Sequence, residues 1–297
     1  MKRIPGLLKV FATAILIVLL VKTFVVTSCS IPSTGMENTL YQGEKVLVNK
    51  WSYGLRIPFT ASHLLAKRVK KGDIVLFNNP LPSSWKAPVF ARALFISRCV
   101  GAPGDTLMLN DELMVTDERA LSPDSKQLYA YPYQQEDTLL QTLHQLGIEG
   151  NHLVGYVEGR YVRSFSHYEH YLLRQRLGED FDLCCVHRND TTGSHPLIIP
   201  AKGKSVQIYP WNVTLLCNTI LYHEGRHASI KNDTLLVDGK PVTAYTFRKD
   251  YYWMASNDPI NLSDSRLFGL VPHDHLIGRA VYIWYSDRKE RIFQPIQ

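Results

Sequence analysis

Ile31-Pro32-Ser33-Thr34-Gly35-Met36-Glu37-Asn38-Thr39-Leu40 is the stretch around which this chain is organised. It directly follows the only long apolar segment, and it opens the part of the chain that folds. Past Gly43-Glu44, Lys45-Val46-Leu47-Val48-Asn49 is apolar and β-branched, which predicts a strand. The stretch therefore links a membrane-type segment to the start of a β core.

Upstream, Lys2 and Arg3 precede an apolar run from Ile4 to Val26 that is interrupted by Lys9 and Lys22. A bilayer-spanning helix needs about 20 mostly apolar residues. The uncharged centre, Val10 to Val21, is shorter, but lysines near its two ends can snorkel towards head groups. The basic start places the amino terminus in the cytoplasm and the folded bulk outside. Two readings compete with an anchor. A cleaved secretory signal lacks a clean small-x-small site. A lipoprotein signal is suggested by Val26-Thr27-Ser28-Cys29, which resembles a lipobox, but Lys22 sits badly in such an apolar core.

Downstream, Gly72-Asp73 followed by Ile74-Val75-Leu76-Phe77 reads as a turn and a buried strand. Further strands are expected at Ala93 to Val100, Thr106 to Leu109, Thr234 to Val237, Tyr251 to Ala255 and Ile277 to Tyr285. Asp238-Gly239 is a hairpin turn before Pro241-Val242. Trp51 to Thr60 reads as a loop or hairpin near the membrane surface, and the proline-rich Asn78 to Pro88 as a loop. Thr116 to Gln135 reads as polar and irregular. Helices are expected at Asp137 to Leu146, stopped by Gly147, at Tyr168 to Leu177, and at Trp211 to Tyr222 with Val213, Leu216, Cys217 and Ile220 on one face.

The 297 residues suffice for one large or two small units. The net charge of +6 comes without a Lys/Arg run interleaved with aromatics, so a nucleic-acid partner is not expected. Cys29, Cys99, Cys184, Cys185 and Cys217 are odd in number and lack zinc-site spacing. Adjacent Cys184-Cys185 read as ordinary buried residues.

The opening stretch resembles the nucleophile box of bacterial signal peptidase I, Pro-Ser-x-Ser-Met followed by Thr-Leu and a Gly-acid pair. Pro32, Ser33, Met36, Thr39, Leu40 and Gly43 match. Four further stretches resemble the same family, in its order. Gly72-Asp73-Ile74-Val75 fits its strand box. Arg98-Cys99-Val100-Gly101-Ala102-Pro103-Gly104-Asp105 fits Lys-Arg-x-x-Gly-x-Pro-Gly-Asp. Ser256 to Arg266 fits its last box, most clearly at Asn261 and Asp264-Ser265-Arg266. Leu267 to Ala280 fits the segment that follows. The resemblance implies a mostly β, signal-peptidase-like fold with an α/β insertion and one N-terminal transmembrane helix. Its divisions are an anchor at 1–28, a β core at 29–111 and 231–297, and an inserted mixed α/β region at 112–230.

In that family a serine attacks the scissile carbonyl and a lysine takes its proton. An exposed lysine, with a pKa of about 10.4, becomes a base only when burial disfavours its charged form. The nucleophile position here is Gly35. The general-base position, just before Arg98, is Ser97. The position of the serine that orients the lysine is Leu262, and Gly-Asp-Asn-Arg has become Ser256-Asn257-Asp258-Pro259. The resemblance gives Ser33 the oxyanion-hole place and Ile31, Pro32 and Met36 places along the substrate cleft, with Asp264 and Arg266 as a structural pair. An extended stretch would point Ser33 and the Gly35 position to the same face. This makes Ser33 the candidate surrogate nucleophile of an alternative, active signal peptidase. Lys45, Lys50 and Lys71 belong to other boxes and read as solvated. The leading expectation is an outward-facing protein of the cytoplasmic membrane that binds signal peptides of exported preproteins and has lost the chemistry. Its partners would be membrane lipid and an active peptidase paralogue.

No cofactor or metal is expected. His223-Glu224-Gly225-Arg226-His227 matches the zincin spacing, which needs both histidines on one continuing helix. Gly225 makes a helix end the better reading, and His273-Asp274-His275 coincides with a turn of the resembled family.

Overall fold

Ile74-Val75-Leu76-Phe77 is apolar at every position because both faces of its strand are covered. Ile74 and Leu76 join a core with Ile31, Met36, Leu40, Val46 and Val48. Val75 and Phe77 join another with Tyr53, Cys99, Tyr252 and Met254. Side chains alternate across a strand, so only a strand buried on both sides needs such a run. This strand, Ile74–Asn78, is the middle one of a seven-stranded antiparallel sheet. Across the sheet the order is Val26–Ser30, Lys45–Asn49, Leu276–Tyr285, Ile74–Asn78, Leu94–Gly101, Tyr251–Ala255 and Val271–Pro272. The computed structural model describes residues 6–57, 60, 63–81, 87–186 and 193–296.

A second, four-stranded sheet has the order Cys184–Cys185, Lys126–Pro132, Arg160–Ser166, Leu153–Val157. Two helices, Glu136–Leu146 and His167–Leu177, pack Leu139, Leu143 and Leu173 against its Tyr129, Tyr131 and Phe165. The first helix stops at Gly147, whose φ of 66° is the left-handed conformation expected of a C-terminal glycine. The helix Val213–His223 buries Val213, Leu216, Cys217 and Ile220 against Leu107, Leu197 and Trp253. The fold is mostly β with some helices.

Two elements differ from the sequence reading. Lys126–Pro132 is a strand where an irregular segment was expected. Its buried Tyr129 and Tyr131, two residues apart, carry the alternation, while its polar ends mask it. Val26 belongs to a strand rather than to the apolar helix: Val26–Ser30 pairs with Lys45–Asn49, with Cys29 opposite Val46. The helix itself runs over Gly6–Phe24 and has 19 residues, or about 28 Å at 1.5 Å per residue. A hydrocarbon core is about 30 Å thick. Among the described residues, no helix is long and apolar enough to cross a membrane. Lys2 and Arg3 lie outside the described residues. Lys50 is not free in solvent: its Nζ donates to the carbonyls of Lys22 and Thr23, at 3.2 and 2.7 Å, and so caps the helix end. Leu55–Arg56 and His63–Leu64 then pair as a short hairpin. Residues 58–59 of the expected hairpin and 82–86 of the expected loop lie outside the described residues.

Candidate active site

Extended backbone ends at Ser33, with φ −149° and ψ 175°. Thr34–Met36 then form a single 3-10 turn, closed by Glu37 N donating to the Thr34 carbonyl at 2.9 Å. The strand geometry expected to put Ser33 and Gly35 on one face is therefore absent: residues 34–36 turn instead of alternating.

Gly35 is buried, and its carbonyl accepts from Asn257 N at 2.8 Å and Asp258 N at 3.2 Å. Its φ is not left-handed, so the backbone does not demand glycine. Space does. A Cβ on Gly35 would stand 3.1–3.2 Å from the Asn261 carboxamide, closer than ordinary van der Waals contact allows. The same carboxamide donates from Nδ2 to Ser33 Oγ at 3.2 Å and accepts from Ser263 N at 3.1 Å. A side chain at 35 would therefore need the Asn261 carboxamide to shift by a few tenths of an ångström. Sequence reading used Asn261 only as a motif match.

Ser97 has no exposed surface, and its Oγ donates to the Ser263 carbonyl at 3.0 Å. It pairs with Val75 across the sheet. Leu262 is 51% exposed. The loop 256–266 therefore brings Ser33, Gly35 and Ser97 to Asn261 and Ser263, and it turns Leu262 to solvent. Ile31 and Met36 are buried in the sheet core, and Pro32 is exposed.

Beneath the turn lies a polar hub that sequence reading missed. Asn257 is 1% exposed. Its Nδ2 donates to the Glu37 carbonyl at 2.9 Å and to Thr39 Oγ1 at 2.8 Å. Thr39 Oγ1 also accepts from Arg98 Nη2 at 2.7 Å and donates to Asp124 at 2.6 Å. Lys126 N donates to the Asn257 carbonyl, and Lys126 Nζ pairs with Glu37 Oε2 at 2.7 Å. Both partners of that pair are buried. The sole sequence signal was a lysine inside a strand-length segment with alternating tyrosines.

Asp264 and Arg266 meet as a two-pronged pair, with Nε to Oδ1 at 3.0 Å and Nη2 to Oδ2 at 2.7 Å. Asp264 also caps the short helix Ser265–Phe268 by accepting from Arg266 N and holds Ser256 N at 2.8 Å. Arg266 spans the loop to the carbonyls of Pro259 and Asn261. The pair shapes the loop that carries Asn261.

Chemically, the site offers a hydroxyl on Ser33 whose described partner is an amide, and a hydroxyl on Ser97 that faces a carbonyl. Among the described residues, no lysine amine is hydrogen-bonded to either. Lys71 pairs with Asp105 at 3.2 Å, and Lys45 lies over the rings of Trp284 and Tyr285. His223 ends its helix, and Gly225 follows with φ 65°. Glu224 is engaged by Tyr251 Oη at 2.6 Å and Arg248 N at 2.9 Å. Contrary to expectation, Cys184 is exposed. It lies in the short edge strand and donates to Asp182.

Residues 4–162, more than half of the chain, match the model of the family described as signal peptidase, peptidase S26. Curated relatives extend the similarity to the last boxes. The chain is 25% identical over 279 residues to the signal peptidase I of Buchnera aphidicola subsp. Baizongia pistaciae, covering 92% of this chain and 74% of that protein. It is 25% identical over 286 residues to the signal peptidase I of Helicobacter pylori strain J99, covering 92% of this chain and 79% of that one. Over a shorter span, 35% of this chain and 34% of the relative, it is 33% identical to the signal peptidase I of Pseudomonas aeruginosa.

Proposed function

The chain belongs to the signal peptidase, peptidase S26, family, and on that premise we propose that it binds signal peptides of exported preproteins without cleaving them. The observation that carries this reading is at the nucleophile position. The Asn261 carboxamide fills the space beside Gly35, while the hydroxyl at the base position, Ser97, is spent on the Ser263 carbonyl. Serine proteolysis needs a nucleophile within reach of a base that can take its proton. Gly35 supplies no hydroxyl, and Ser97 supplies no base at neutral pH.

In this reading the amino-terminal apolar run, preceded in sequence by Lys2 and Arg3, holds the chain at the membrane with its amino terminus on the cytoplasmic side. The folded region lies outside, as a β core over 29–111 and 231–297 with 112–230 inserted. Of the three residues expected along the peptide cleft, Pro32 is exposed to an extended peptide added as a strand, and Ile31 and Met36 support that stretch from the core. The protein then acts as a pseudoenzyme that holds preproteins or assists an active peptidase. The test is cleavage of a preprotein at its signal-peptide site by purified protein and by Ser33→Ala, with peptide binding measured in parallel. The expected result is binding by both and cleavage by neither. Cleavage that disappears in Ser33→Ala would defeat the proposal in favour of an active peptidase using Ser33.

A further inference from the structure

Away from the Gly35 turn, four segments distant in sequence converge on a cavity of about 340 Å³. It is lined by Lys67, Arg68, Lys202, Arg248 and Lys249, against two carboxylates, Asp250 and Asp274. Asp274 is already engaged by Lys249 Nζ at 2.6 Å and by His275 Nδ1 at 2.8 Å. Asp250 accepts from the backbone N of Lys202 at 2.8 Å. Among the described residues, the side chains of Lys67, Arg68 and Lys202 have no ion pair or hydrogen bond, and the guanidinium of Arg248 touches only the Glu224 carbonyl, at 3.5 Å. Positive charges gathered on one concave surface repel one another until an anion arrives.

Two imidazoles complete the wall. His63 and His273 meet edge to face, with centroids 5.1 Å apart. His63 donates from Nε2 to the Leu276 carbonyl at 3.1 Å, which leaves its Nδ1 buried without a partner. His273 Nε2 is likewise buried and unpartnered. With its Nε2 donating, His63 Nδ1 is an acceptor, whereas His273 Nε2 can donate into the cavity when Tyr252 Oη donates to His273 Nδ1, at 3.1 Å.

We propose that this cavity binds a phosphate-bearing anion. Cations from several directions suit a compact, multiply charged oxyanion better than a single carboxylate, and the planar fork of an arginine matches phosphate oxygens in pairs. The volume fits a phosphorylated small molecule or a lipid headgroup rather than a long polymer. The cavity wall also stands near the N-terminal helix in the chain. Lys67 N donates to the Tyr53 carbonyl at 3.2 Å, and Lys50, three residues before Tyr53, caps that helix. The inference does not depend on whether the Gly35 site cleaves, binds or does neither.

The test uses the full-length protein in neutral maltoside micelles, with thermal unfolding and titration as readouts. The probes are inorganic phosphate, glycerol 3-phosphate, and dioctanoyl phosphatidylglycerol against dioctanoyl phosphatidylcholine. The variant is Lys67→Gln/Arg68→Gln/Lys202→Gln. A control with the same charge change elsewhere is Lys231→Gln/Lys240→Gln/Lys289→Gln, and circular dichroism checks folding of both. Saturable binding by the wild type and control, weakened at least about tenfold in the first variant, is the expected result. Response to the soluble phosphates identifies a free phosphorylated ligand, and response to phosphatidylglycerol alone identifies a headgroup. No saturable binding of any anionic probe, binding retained in the first variant, or equal loss in both variants would overturn the proposal.

Discussion

The two ends of the loop 256–266 meet the opening turn in different ways. At the Asn257 end, side chain meets side chain: Asn257, Thr39, Arg98 and Asp124 form one connected network, and the Lys126–Glu37 pair closes it. At the Asn261–Ser263 end, the Ser97 hydroxyl rests on a backbone carbonyl and a carboxamide fills the space beside a glycine. Removing a member of the first set leaves a buried polar group or charge without its partner. Changing a member of the second leaves water or a small void. The comparison assigns the strength of the turn to the Asn257 end and leaves the other end free to have lost its chemistry.

The largest expected effect comes from Lys126. Lys126→Met strands the Glu37 carboxylate in a buried place, and breaking such a pair on one side costs about 3–5 kcal/mol. Lys126→Met/Glu37→Gln should recover most of that loss. Urea unfolding of the two variants checks both statements. A single variant within about 1 kcal/mol of wild type would break the comparison, since exposed pairs behave that way.

Acid acts on another part of the molecule, its buried histidines. Burial pushes His63 down to about 4, with neighbouring His273 and Arg56 adding to the shift. Burial also holds His223, His273 and His275 below the usual histidine range. The unfolded chain, with histidines near 6.5, then binds more protons than the folded one below that pH. Stability should therefore be full above about pH 6.5 and fall as the pH drops towards 4. Urea midpoints at pH 7 and pH 5 should show the drop, and His63→Asn should shrink it.

Much of the sheet could be read in the sequence because its strands carry their own signals. Ile74 to Phe77 is apolar throughout, and Asp238-Gly239 takes the two left-handed conformations, φ 51° and 79°, that a tight hairpin requires. The positions of Gly35, Ser97 and Leu262 were readable only by resemblance to a family pattern. What fills the space around them was not. That Asn261 stands beside Gly35 depends on how residues 226 positions apart meet, and nothing local encodes it. The Lys126–Glu37 pair was hidden for the same reason. A lysine in a polar segment reads as solvated until the fold buries it.

A smaller effect tests the space beside Gly35. Gly35→Ala should destabilise by about 1–3 kcal/mol, the usual range for overpacking. In an Asn261→Gly background the same change should cost markedly less, because the two sites touch and their effects do not add. A double-mutant cycle by urea unfolding gives the coupling. Zero coupling would mean that the carboxamide does not occupy the side-chain space at 35, and the contrast between the two loop ends would weaken.

The smallest effect is expected at Leu262. By resemblance this position orients the base, but the side chain is half exposed, at 51%. Leu262→Ser should change stability by no more than about 0.5 kcal/mol, as for surface substitutions that break no special feature. In the Gly35→Ser/Ser97→Lys double variant, nucleophile and base are both present, and any preprotein cleavage should require the pair, since residues acting as one unit are strongly non-additive. Gly35→Ser must displace the Asn261 carboxamide. Ser97→Lys must bury an amine, which favours its neutral form. Adding Leu262→Ser to that double variant should leave the cleavage rate unchanged, because a hydroxyl at an outward-facing position does not reach the amine. A clear rise on adding Leu262→Ser would show that the loop turns residue 262 inward once the Asn261 carboxamide is displaced, and that the Asn261–Ser263 end can still be assembled into a working site.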